Sequence, residues 1–132
     1  MTLQVSILTP DRIFWNESAE ELILPTSTGQ RGVLSGHAPL ITALDIGAMM
    51  VRTSAGWNAV ALRGGFALVQ GNRVTILVNE AVAASAVNVQ EAERALEEAT
   101  ARLNQATGEK DKVEATFAYK RARARFQIVQ SR

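Results

Sequence analysis

The stretch VTILVNEAVAASAVNVQEAERALEEAT, residues 74–100, contains the change of hydrophobic period that decides the fold. In its first part apolar and polar residues alternate, which is the period of a half-buried strand. In its last part apolar residues recur every three or four positions, which is the period of one helix face. The period changes near residue 85, so we expect a strand domain over residues 1–85 and a helical domain over residues 86–132.

The region before the change reads as a series of short strands. Leu3, Val5 and Ile7 alternate with polar residues, and Phe66 and Leu68 show the same spacing of two. Turn-forming segments separate such runs: TPDR at 9–12, TSTGQRG at 26–32, SAG at 54–56 and QGNR at 70–73. This density of strands and turns predicts an antiparallel β-sandwich. The two glycines of RGGF, residues 63–66, predict a bend or a close backbone approach within a strand.

The region after the change predicts two helices. Asn88 with Glu91 has the spacing of an N-terminal cap. Two apolar seams follow at intervals of three and four: Ala92, Leu96, Ala99, Leu103 and Ala106, then Ala115, Tyr119, Ala122, Phe126 and Val129. TGEKD at 107–111 interrupts the pattern, which predicts an antiparallel α-helical hairpin and an α+β chain. Because alanine buries little surface, we expect a marginally stable hairpin that docks on the sandwich in one state and leaves it in another.

The amino-acid composition narrows the range of functions that this chain can have. The 132 residues are 47% hydrophobic and 20% charged and include no cysteine, which excludes disulfides, thiol catalysis and thiolate zinc sites. No apolar run approaches the roughly 18 residues of a membrane span, and the start resembles no signal peptide. We therefore expect a protein that is soluble, or peripheral where it meets a membrane.

The sequence contains little that indicates a catalytic site. His37 is the one histidine, and it lies between turn-forming glycines and a proline, where a contact residue is expected before a catalytic one. Glu20 and Glu21 are adjacent in a predicted strand, where neighbouring side chains point to opposite faces and do not form a pair. The chain has no phosphate-binding loop, metal-binding histidine pair or nucleophile motif.

Charge is concentrated at the end of the chain. From Lys110 to Arg132 there are seven basic and two acidic residues, and the densest part is YKRARARF at 119–126. One interpretation is a solvated helix face that complements the helix C-terminus. The other is a docking surface for an acidic partner, with an acidic protein segment favoured over nucleic acid because aromatic residues are few.

Several segments together resemble a known family. ILTPDRIFW at 7–15, GVLSGHAPLITALDIG at 32–47, LRGGFALV at 62–69 and KRARARF at 120–126 occur in one order. This arrangement is similar to that of the ε subunits of rotary F-type ATP synthases, in their photosynthetic, thylakoid branch. The resemblance covers essentially the full chain.

The resemblance implies a non-catalytic, cofactor-free central-stalk subunit that couples the rotor ring to the catalytic head. It implies a sandwich of about ten strands that contacts the γ subunit through His37, Pro39 and Leu40. It also implies a contact with the ring of c subunits through Gly29, Gln30, Arg31 and Gly32. The complex would lie on the thylakoid membrane, with this chain peripheral on the stromal or cytoplasmic side. The alternative, from the residues alone, is a free-standing adaptor that binds nucleic acid through the basic helix.

The resemblance also implies that the hairpin is a regulatory arm. In such an arm, basic residues approach an acidic segment of the β subunits in the head of α and β subunits and block ATP hydrolysis; here they are Lys120, Arg121, Arg123 and Arg125. Some bacterial members bind ATP through an Ile/Leu-Asp-x-x-Arg-Ala motif. The matching residues, 87–92, have Asn88 for the aspartate and Glu91 for the arginine. We predict that ATP does not bind usefully.

Overall fold

The structure, a computed structural model, describes residues 2–130. Within them, eight strands are followed by a short 3₁₀ turn and two helices. The strands are β1 (Leu3–Thr9), β2 (Arg12–Ala19), β3 (Glu21–Thr26), β4 (Gly29–Leu34), β5 (Leu40–Leu44), β6 (Gly47–Thr53), β7 (Gly56–Gln70) and β8 (Arg73–Ala83). The 3₁₀ turn is Ala84–Ala86, and the helices are α1 (Val89–Gln105) and α2 (Glu109–Gln130).

The strands form two layers that share β7 and β8. The first layer contains β2, β1, the first part of β8, the second part of β7, and β5. The second contains β4, β3, β6, the first part of β7 and the last part of β8. Alternate residues of both layers point inward and form one apolar core, in which Val5, Leu22 and Ile76 are fully buried. The expected sandwich followed by a helical pair is confirmed.

A bend in β7 lets this strand belong to both layers. Gly64 and Gly65 have φ of +64° and +126°, values that L side chains rarely adopt. A Cβ on Gly65 would lie 1.9 Å from the carbonyl oxygen of Leu77 on the neighbouring strand. The predicted close approach in RGGF is confirmed at this position, because only a glycine lets β7 pass β8 there.

Two details of the expected sandwich were wrong. Eight strands are present within residues 2–130 instead of about ten, because β7 and β8 bend from one layer into the other and keep the same register on both sides of the bend. The sheet is also not wholly antiparallel, since β1 pairs with β8 in parallel, Val5 opposite Val74. Alternation of apolar residues identifies a strand but carries no information about its partner or direction.

The hairpin packs on one outer face of the sandwich. The Asn88 side chain accepts a hydrogen bond of 3.0 Å from the Glu91 N–H, which confirms the predicted cap of α1. Helix α2 contacts β6 and β7, and α1 packs against α2. The two predicted seams meet between the helices, where Ala99 and Ala122 are buried. Gly108 has φ of +79° in the link between the helices, and its carbonyl oxygen accepts a hydrogen bond from the Lys112 N–H at the start of α2.

Candidate functional site

The turn that contains His37 connects β4 to β5. The Gly36 N–H donates to the side-chain oxygen of Asn72 at 2.8 Å, and the His37 N–H donates to the carbonyl oxygen of Leu34 at 3.2 Å. The His37 ring nitrogen Nδ1 lies 2.7 Å from the carbonyl oxygen of Ala38. His37 is half-buried and Pro39 is exposed. The turn therefore presents these two side chains on a backbone fixed by hydrogen bonds to neighbouring segments.

Leu40, the third residue expected at the γ contact, is placed differently. Its side chain is partly buried and packs against the sandwich core. The next residue, Ile41, points outward and is 74% exposed. Because side chains alternate along a strand, Ile41 presents exposed apolar surface next to the residue for which the resemblance implies a γ contact.

Ile41 belongs to an exposed apolar area on the outer side of the first layer. Its members are Ile41 (74% exposed), Phe66 (59%), Leu68 (40%) and Leu77 (51%). Ile41 lies opposite Leu68 in the β5–β7 pairing, and Phe66 lies opposite Leu77 in the β7–β8 pairing. We call these four residues the open face. Contiguous exposed apolar side chains of this size are typical of a protein–protein contact.

The expected ring-contact residues follow directly after the β3–β4 turn. Gly29, Gln30, Arg31 and Gly32 are all exposed and belong to the edge strand β4. Gly29 has φ of +120° and its carbonyl oxygen accepts a hydrogen bond from the Thr26 hydroxyl. Arg31 therefore lies in the first half of β4, and the strand ends at Leu34, about 10 Å further along, before the His37 turn.

The hairpin covers the outer side of the second layer. The sandwich residues there are mostly small: Ala48, Met50, Ala59, Ala61 and Val82. We call these five residues the covered face. On α2, Ala124 and Ile128 pack against it and are buried. Helix α2 thus has a second buried face besides its seam with α1, and the spacing of four between these two residues is the signal that could have revealed it.

The four basic residues expected to contact an acidic partner are not equivalent. Lys120 Nζ lies 3.2 Å from a carboxylate oxygen of Asp45, in the β5–β6 connection, and Arg125 Nη2 lies 2.9 Å from the Glu80 carboxylate on β8. Arg123 stacks over the Tyr119 ring at 5.5 Å. Within residues 2–130 no carboxylate lies within ion-pair distance of Arg121 or Arg123. Two cations therefore hold α2 on the sandwich, and two have no acidic partner there.

The contacts of Arg52 change the interpretation of the carboxylates of Glu20 and Glu21. Glu20 lies in the connection before β3, outside a strand, so it and Glu21 both reach the Arg52 guanidinium, at 2.5 Å and 3.2 Å. The predicted separation of these two side chains was wrong. Arg52 also stacks over the Trp57 ring at 5.8 Å, which makes this group a partly buried structural contact on the surface of the sandwich.

Three further observations concern metal binding, membrane spans and the start of α1. In the described part of the chain, no group of three or more histidine, cysteine or acidic residues is arranged to bind a metal ion. Neither helix combines the length and hydropathy needed to cross a membrane, over the same residues. At the start of α1, the Asn88 side chain is engaged as a cap and Glu91 is exposed.

The fold and these surfaces define a class: a small two-part protein, with an apolar open face and an electrostatically held hairpin, built to bind larger partners. Family models narrow the class. Residues 2–84 match the model described as ATP synthase, Delta/Epsilon chain, beta-sandwich domain. Residues 86–130 match that described as ATP synthase, Delta/Epsilon chain, long alpha-helix domain. The chain belongs to the ATP synthase delta/epsilon chain family.

Curated relatives and solved structures agree with the family. The chain is 65% identical over 129 residues to the chloroplastic ATP synthase epsilon chain of Chlorella vulgaris, covering 98% of this chain and 96% of the relative. It is 62% identical to that of Tupiella akineta, covering 98% and 99%. A chain of the Euglena gracilis mitochondrial ATP synthase OSCP/F1/c-ring structure superposes with a TM-score of 0.81 at 25% identity, covering 98% of this chain and 80% of that one.

These comparisons decide between the two functions expected from the sequence. The function of a central-stalk subunit of an F-type ATP synthase is confirmed. The nucleic-acid adaptor gains no support from the family, the relatives or the similar structure.

Proposed function

We propose that this chain is a non-catalytic coupling subunit that docks on the γ subunit of the stalk through its open face. The observation that carries the proposal is the pair Ile41–Leu68 beside the pair Phe66–Leu77, four exposed apolar side chains on one rigid sheet. Full burial of an exposed side chain of this size stabilises a contact by about 1.5–3 kcal/mol, and these partly exposed side chains contribute a fraction of that each. His37 and Pro39 adjoin this sheet at the start of β5 and extend the contact.

The first part of β4 contacts the ring of c subunits. Residues 29–32 are exposed at an edge of the sandwich, and Arg31 supplies a positive charge for the polar loops of the ring. The open face and this part of β4 belong to different strands of one rigid sandwich, which lets a single domain transmit torque between stalk and ring.

The hairpin is an inhibitory arm. Arg121 and Arg123 have no carboxylate within ion-pair distance among residues 2–130, so they are available to an acidic segment of the β subunits when the arm extends. Lys120 and Arg125 join them once α2 leaves the sandwich. On the sandwich side α2 packs mainly against alanines, each of which buries little surface, and Ile128 is the large, fully buried side chain that its departure exposes.

The chain works without a cofactor, in an assembly with the γ subunit, the c ring and the α and β subunits. The chloroplastic relatives support a thylakoid complex, to which this chain is peripheral on the stromal or cytoplasmic side.

Replacement of the open face tests the docking proposal. Phe66→Asp with Leu68→Asp places two charges where the partner packs, and we expect affinity for the purified γ subunit to fall about 100-fold or more. The measurement is calorimetric titration of γ with the full chain. Val113→Asp is the matched control, because Val113 is a similarly exposed apolar residue on α2. Equal affinity of the double variant and the parent would refute docking through this face.

A further inference from the structure

We infer that Asp45 and Glu80 form an internal acidic receptor that competes with the acidic partner for the basic residues of the arm. The inference rests on the proposed inhibitory function and adds its regulation. Asp45 and Glu80 belong to the sandwich and lie outside both the helical seam and the basic segment. They set the fraction of chains whose arm is undocked and able to inhibit.

The geometry places the two receptor carboxylates at two points along α2. Both carboxylate oxygens of Asp45 accept from Lys120 Nζ, at 3.3 Å and 3.2 Å, and Glu80 Oε1 accepts from Arg125 Nη2 at 2.9 Å. Lys120 and Arg125 are five positions apart, about 7.5 Å along the helix axis. Ala124, which is buried on the covered face, lies between them. The ion pairs therefore anchor the part of α2 that contacts the sandwich.

The apolar contact beneath these pairs combines small and large side chains. Ala59 and Ala61 of β7 cluster with Ala124, Ile128 and Val129 of α2, all of them buried, and Phe126 packs against this cluster. Beside this apolar contact the two ion pairs add a small increment, which shifts the docking equilibrium by a few-fold. They are also weak enough to release, because their four side chains are 31% to 47% exposed and solvent screens them.

The competition follows from shared donors. Lys120 and Arg125 are two of the four basic residues available to an acidic partner, and each cation paired with the sandwich is withheld from that partner. An acidic segment that approaches must replace Asp45 and Glu80 at the same nitrogen atoms. The docked arm is therefore held by ion pairs of the same kind, between basic side chains and carboxylates, as those of its inhibitory state.

The test measures arm position in the full chain, separately from inhibition. The sequence has no cysteine, so Ser54→Cys and Gln105→Cys, both at exposed positions, carry spin labels on the sandwich and on the hairpin. Pulsed electron paramagnetic resonance then gives the docked and undocked populations. Asp45→Asn with Glu80→Gln removes both charges, and an asparagine keeps the acceptor that Asp45 Oδ1 offers the Ile46 N–H.

We expect the undocked fraction to rise about five-fold in that variant, and in the parent at high salt. Glu20→Gln with Glu21→Gln is the matched control, since it removes ion pairs to Arg52 without touching α2. Asp45→Lys with Lys120→Asp reverses one pair and should restore docking relative to Asp45→Lys alone. An undocked fraction unchanged in the neutralised variant, or raised equally in the control, would overturn the receptor.

ATP hydrolysis by the reconstituted enzyme completes the test. The neutralised variant should inhibit hydrolysis more strongly than the parent, because more arms are free. Arg121→Ala with Arg123→Ala should relieve inhibition while the label distances stay those of the parent. A rate of hydrolysis that is the same with and without Arg121 and Arg123 would refute the inhibitory arm. The receptor is tested by the label distances alone.

Discussion

The two outer faces of the sandwich are both apolar, but they are made from residues of different size. The covered face consists mainly of alanines, with Met50 and Val82, and α2 packs on it. The open face consists of large side chains, 40% to 74% exposed, with no element of residues 2–130 over it. On the covered side, the acidic residues Asp45 and Glu80 flank the contact and pair with α2.

The difference in size indicates a difference in the lifetime of each contact. A large apolar side chain that becomes buried stabilises a contact by about 1.5–3 kcal/mol, and an alanine by much less. The open face therefore suits a permanent partner, and the covered face suits an element that leaves and returns. Partly exposed ion pairs fit the second role, since solvent and salt weaken them.

The bend that separates the two faces gives the largest expected effect. Gly65→Val forces a side chain into the carbonyl of Leu77 and a backbone angle that L residues avoid. We expect a loss of about 4 kcal/mol or more in the free energy of unfolding, measured by urea titration. Gly71→Ala is the control, because Gly71 has φ of +58° with no atom within 4 Å of the added Cβ, and costs about 1 kcal/mol. Equal losses would mean that the bend tolerates a side chain.

A truncation at the centre of the covered face gives the next largest effect. Ile128 is fully buried between α2 and the sandwich. We expect Ile128→Ala to destabilise docking by about 2–4 kcal/mol, because it leaves a cavity and loses apolar contact. Hydrogen exchange should show lost protection across α2 and retained protection in β1 and β8.

The open face supplies the control for that truncation. Phe66→Ser removes a larger side chain, but one that is 59% exposed. Its effect on the unfolding free energy of the isolated chain should stay within about 0.5 kcal/mol. If Phe66→Ser costs as much as Ile128→Ala, then the open face is already packed within the chain and the contrast between the faces fails.

Local pattern predicts much of this fold. The alternation through Val5 and Ile7 identifies inward residues correctly, and the spacing of Asn88 to Glu91 identifies the start of α1. The glycines of RGGF identify the bend. Each of these features depends on neighbours in sequence, which is the information that hydrophobic period and turn chemistry carry.

Long-range pairing is what the pattern omits. Lys120 pairs with a residue 75 positions away and Arg125 with one 45 positions away. The basic segment therefore looked uniform in sequence, although the structure divides it into paired and unpaired cations. Likewise, Phe66 and Leu68 resemble core residues until the bend at Gly65 fixes which face of β7 is inside.

The smallest expected effect concerns whether a ligand helps to hold the hairpin on the covered face. The resemblance implies an ATP motif at 87–92 in some relatives, but here Glu91 repels phosphate and the Asn88 side chain is occupied as a cap. We expect calorimetry of the full chain with ATP to show no binding, and a micromolar dissociation constant would contradict this. Glu91→Arg should introduce measurable affinity, while Glu93→Arg, which changes the net charge equally two positions along, should not. A gain in both variants would trace binding to net charge alone and not to the position of the arginine.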